Sequence, residues 1–66
     1  MTLRHRKIKA GALIVFLNDE DRVGVLTKRC YKHGSHHWEI IMQDTGKIQR
    51  VLELNLANCY NRYKFV

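Results

Sequence analysis

Cys30, His33, His36 and His37 fall within eight residues, with Cys59 further on. Thiolates and imidazoles are the donors that tetrahedral zinc prefers, and a metal would reinforce a core as small as this chain can build. Structural zinc sites, however, draw a pair of ligands from each end, whereas Cys59 stands alone. The histidines sit beside Gly34 and Ser35 in what reads as a solvated loop. The competing reading is two buried free thiols and an exposed histidine loop, whose charge rises as pH falls past about 6.5. That reading is taken forward, with no metal and no cofactor expected. A single disulfide would be worth about 2 to 4 kcal/mol, but free thiols are expected where no secretion signal is evident.

Nucleophilic catalysis needs more than a Cys-His pair. It needs a third group to orient the base and a donor pocket for developing charge, and neither is marked here. No phosphate-cradling glycine motif occurs. Asp19, Glu20 and Asp21 lack the ligand spacing and closing bidentate acid of a calcium loop, so they read as a solvated turn. The expectation is a chain that is not an enzyme.

What remains is charge interleaved with rings. Twelve Lys and Arg against six Asp and Glu leave a net +6, which draws polyanions. Arg4, Arg6, Lys7 and Lys9 load the start, and Lys28, Arg29 and Lys32 the middle. Two stretches mix cations with aromatics: Lys28-Arg29-Cys30-Tyr31-Lys32 running on to Trp38, and Tyr60-Asn61-Arg62-Tyr63-Lys64-Phe65. Cations can follow a phosphate backbone while flat rings stack on bases. Trp38 is assigned to the core, because Ile40 and Met42 share its strand face and a small core needs bulk. Tyr31 is the better ligand candidate. The expected nucleic-acid contacts are therefore Arg4, Arg6, Lys7, Lys9, Lys28, Arg29, Tyr31 and Lys32.

These side chains must be held by short elements, since 66 residues allow one domain and one modest core. Residues 1–8 form a basic N-terminal segment expected to be flexible. The apolar run of residues 10–17 follows a basic stretch as a secretory signal would. It then meets Asn18-Asp19-Glu20-Asp21 with no small-residue cleavage pattern, and it is too short to span a bilayer. It reads as a strand, and the expected location is cytoplasmic. Residues 22–31 form a second strand with Val23, Val25 and Thr27 on one face and Gly24 permitting a bulge or close approach. After a polar loop at residues 32–36, Trp38, Ile40 and Met42 alternate with Glu39, Ile41 and Gln43 in a third strand. Asp44-Thr45-Gly46 makes a tight turn, with positive φ at Gly46, into a fourth strand at residues 47–52.

Residues 47–63 carry two patterns. Ile48, Val51, Leu52, Leu56, Cys59, Tyr60 and Tyr63 fit a helical stripe. Leu54 on the opposite face and three asparagines favour instead a strand, one helical turn around Glu53-Leu54-Asn55-Leu56, and a last strand at residues 59–65.

This order of elements resembles the five-stranded Src-homology-3-like (SH3-like) small barrel of Tudor and KOW modules, and in particular short phage-encoded barrel proteins. The residues that carry the resemblance are Lys9-Ala10-Gly11-Ala12-Leu13-Ile14, Gly24-Val25-Leu26-Thr27-Lys28, the Trp38 strand through Gly46, and Leu52-Glu53-Leu54-Asn55-Leu56. Ala10 and Ala12 stand where the pattern has proline and aspartate, Thr45 is inserted in the turn, and Met42 replaces a common aromatic. An aromatic ligand cage of the Tudor type is therefore not expected. The resemblance implies an all-β fold, a single SH3-like barrel domain over residues 1–66 with one short helical turn before the last strand, and a viral origin. The expected role is a non-enzymatic accessory module contacting DNA or RNA. The alternative is a module that binds a host or viral protein without nucleic acid, and no membrane partner is expected.

Overall fold

The structure, a computed structural model, describes residues 7–59 and 61–66. Five strands, β1 (Leu13–Phe16), β2 (Arg22–Lys32), β3 (Ser35–Met42), β4 (Ile48–Leu52) and β5 (Tyr63–Phe65), form one antiparallel sheet in the order β4-β3-β2-β1-β5. One short helix, α1 (Glu53–Asn58), precedes the last strand. This is the all-β arrangement expected, with a helical segment where one was placed. Among the described residues no ladder joins β4 to β5, so they remain the two edges of the sheet.

Register explains the core. Across the sheet, Phe65, Ile14, Gly24 and Met42 form one line of partners, Leu26 and Ile40 belong to the next, and Trp38 and Val51 to a third. The apolar side chains in these lines are buried, with Leu56 of α1 packed among them. Ile8, within the segment expected to be flexible, also packs against this cluster. Side chains alternate across a strand, so the lines between these present the opposite face.

Gly24 has no side chain because Ile40 occupies the space. A β-carbon there would collide with Ile40 Cγ2 and lie 3.3 Å from Met42 Sδ. The bulge lies three residues later. Register shifts between Leu26 and Lys28, so Thr27 is the extra residue, its Oγ1 donating to the Glu39 carbonyl at 3.0 Å.

The expected loop at residues 32–36 is not a loop. β2 and β3 pair as far as Lys32 and Ser35, joined through His33 and Gly34, both at positive φ (52° and 76°). A two-residue turn with both central residues left-handed matches the twist of a hairpin, so the ladder continues to its end. Ser35 and His36 consequently join His37 in β3. The final strand is shorter than residues 59–65, because a turn in which Arg62 and Tyr63 donate to the Cys59 carbonyl comes first.

Six residues make a marginal helix by themselves. α1 has no side-chain N-cap, and the helix extends beyond the expected single turn to Asn58. Burial of Leu56 and Ala57 holds one side of it to the sheet. Glu53, in its first turn, holds the other, as described next.

Candidate nucleic-acid interface

Three arginines of the sheet face carboxylates. Arg22 bridges Asp19 (3.0 Å) and Asp44 (2.9 Å), tying the β1–β2 turn to the β3–β4 turn. Arg29 grips Glu53 with two parallel bonds, Nε to Oε1 at 3.0 Å and Nη2 to Oε2 at 2.9 Å. Arg50 lies 4.0 Å from Glu39. A planar guanidinium suits such forked pairing better than an ammonium does. Lys7, Lys9, Lys28, Lys32, Lys47, Arg62 and Lys64 make no ion pair among the described residues.

Glu53 also accepts the Trp38 indole N–H at 3.0 Å. Arg29 and Trp38 are cross-strand partners, so one carboxylate at the start of α1 closes both onto the helix. The hydrogen bonds from Arg29 hold the Glu53 carboxyl below the usual range, with burial opposing and Trp38 assisting. Arg29 was expected to meet phosphate, but the structure gives its guanidinium an internal partner. Trp38 is 6% exposed and belongs to the core, as its strand mates implied.

The other expected contacts lie as follows. Arg4 and Arg6, like Tyr60 of the second basic-aromatic stretch, are outside the described residues. Lys7 and Lys9 line a recess of about 330 Å³ with Leu13, Phe65 and Val66. Lys28 and Lys32 share the outward face of β2 with Cys30, two residues apart beyond the bulge. Tyr31, on the opposite face, is 66% exposed, and His36 meets its ring edge-on at 4.8 Å. The structure therefore brings together two pairs of lysines, and separates Tyr31 from Lys28 and Lys32 by a face. Lys64, part of the second basic-aromatic stretch but not among the expected contacts, lies opposite Val15 on the outward face, turned away from Phe65 by the alternation of β5.

The candidate zinc ligands are not assembled. No group of three or more His, Cys, Asp or Glu side chains among the described residues could hold a metal ion. Cys30 instead donates to Glu39 Oε2 at 3.1 Å, and both cysteines are free thiols. The bond to Glu39, with burial and the carboxylate's charge, pushes the Cys30 thiol up, and the same bond pulls the Glu39 carboxyl down. Among the described residues, no helix is long and apolar enough to cross a membrane.

The class that these features define is a small, five-stranded antiparallel β protein with one short helix and a surplus of unpaired lysines. No family model, no curated protein and no solved structure matches the chain.

Proposed function

We propose that the protein is a non-enzymatic SH3-like binding module that meets nucleic acid through phosphate, with Lys7, Lys9, Lys28 and Lys32 as its principal contacts. The observation that carries this reading is the division of the cations. Arg22, Arg29 and Arg50 face carboxylates, while the lysines, with Arg62, make no ion pair among the described residues. Lysine recognises phosphate as a point charge without demanding a particular geometry, which suits a sequence-independent contact. Leu13 links the two pairs: it lines the Lys7 and Lys9 recess, and its sheet partner Val25 lies three residues before Lys28. The SH3-like assignment and a phage accessory role rest on the order of elements and the motifs already quoted.

Fluorescence anisotropy with a labelled oligonucleotide across a salt series tests the reading. Four phosphate contacts give a log-log slope of roughly −2.8 to −3.6. Absence of binding at low salt would sink it.

A specific observation also supports the protein-binding alternative. Leu13, Ile41, Ile48 and Leu52 are large apolar side chains left at least 36% exposed on a chain with little core to spare.

A further inference from the structure

The outward face of the sheet carries one line of aliphatic residues across four strands. Leu13 of β1 pairs with Val25 of β2, Val25 with Ile41 of β3, and Ile41 with Ile48 of β4. Leu13, Ile41 and Ile48 are 42%, 36% and 58% exposed, and Val25 is half-buried. The next line toward the β2–β3 hairpin is charged, with Lys28 opposite Glu39 and Glu39 opposite Arg50.

We propose that this face packs against the same face of a second copy, about a two-fold axis parallel to the strands and midway between β2 and β3. Such an axis exchanges β2 with β3 and β1 with β4. Val25 then meets Ile41 of the second copy, Leu13 meets Ile48, and Lys28 meets Glu39, each contact occurring twice. Charge complementarity selects this axis. One running along β3 would set Glu39 on Glu39 and Lys28 on Arg50. One running along the aliphatic line would set Glu39 over Gln43 and Lys28 over Val23, leaving neither charge with a partner in the second copy. Self-complementarity of this kind is what an isologous contact requires, and face-to-face sheets accommodate it about 10 Å apart with a modest crossing angle. Lys32, Arg50 and Lys64 fall toward the rim, where their repulsion is screened by salt. The pairing takes up Lys28 but leaves Lys7, Lys9 and Lys32 of both copies for a polyanion, so it extends the proposed function without depending on it.

Sedimentation equilibrium of the full chain over a dilution series tests this. A concentration-dependent species of twice the monomer mass is expected. Ile41→Glu and Ile48→Glu should each raise its dissociation constant at least about tenfold while leaving circular dichroism unchanged. Ile48, the more exposed of the two, guards against a folding defect at Ile41. A monomer throughout the series overturns the proposal. So does a dimer indifferent to both substitutions, which would place the contact at the β4 or β5 edge.

Discussion

Glu53 and Arg29, twenty-four positions apart, meet as a forked pair at 3.0 and 2.9 Å, with the Trp38 indole donating to the same carboxylate. One carboxylate thereby ties a six-residue helix to the middle of the sheet, together with the burial of Leu56 and Ala57. Glu53→Gln keeps an acceptor for Trp38 but loses the charge. Destabilisation of about 1 to 3 kcal/mol is expected, read as a lower urea midpoint at unchanged slope.

The same carboxylate gives a pH dependence of known sign. Its pKa is lower in the folded protein than in the unfolded chain, so on acidification the unfolded state takes up the proton first. Its stabilisation is complete above the ordinary glutamate range and is lost as pH falls through the depressed value. Asp44, lowered chiefly by Arg22, and Glu39, lowered chiefly by Cys30, act in the same direction. Urea titrations of the protein and of Glu53→Gln should therefore differ most near neutrality and converge in acid.

Gly24→Ala tests the close approach of β2 to β3. The added carbon collides with Ile40 Cγ2, a branched side chain with no free end to swing away. A loss of about 1 to 3 kcal/mol is expected from overpacking, and Ile40→Ala in the same chain should make the added methyl nearly harmless. Equal losses from Gly24→Ala in both backgrounds would show that the contact is not the cause.

Cys30 should resist alkylation. Its thiol donates to Glu39, and a thiolate there would face the carboxylate, so the reactive form is scarce near neutral pH. In a Cys59→Ser background, Glu39→Gln should accelerate the reaction with iodoacetamide and shift its pH profile to lower values. An unchanged profile would show that the hydrogen bond does not govern the thiol.

Tyr31 and the lysines should separate in binding experiments. Lys7→Gln and Lys9→Gln should each reduce the salt slope by about one, whatever the oligonucleotide. Tyr31→Ala should cost about 1 to 3 kcal/mol on single strands with the slope retained, because a stacked ring carries no charge. Loss on duplex and single strand alike would assign Tyr31 to the fold of the hairpin.

Much of the sheet was legible because its buried face alternates cleanly: Trp38, Ile40 and Met42 face inward as their spacing implied, and Gly24 marked the close approach. The hairpin was less so. His33 adopts the left-handed conformation beside Gly34, which a bulky residue seldom does, so a two-residue turn resembled a polar loop. The fate of Arg29 was not readable at all, since its partner comes from a helix whose position depends on the finished core. Among the cations, alternation alone places Lys28 and Lys32 on one face, but that this face is the outward one depends on the phase change at Thr27.

That phase change makes β2 a strand written in two reading frames. Before Thr27 the odd-numbered positions Val23 and Val25 look outward, and after it the even-numbered Lys28, Cys30 and Lys32 do. Deleting Thr27 would set Lys28 directly after Leu26, and the two would face Glu39 and Ile40 respectively, as they do now, with no bulge between them. Keeping Thr27 but pairing it with Glu39 would instead turn Lys28 toward Trp38. In that second case the composition of the strand would not change at all, yet its two halves would no longer agree on which face is the inside.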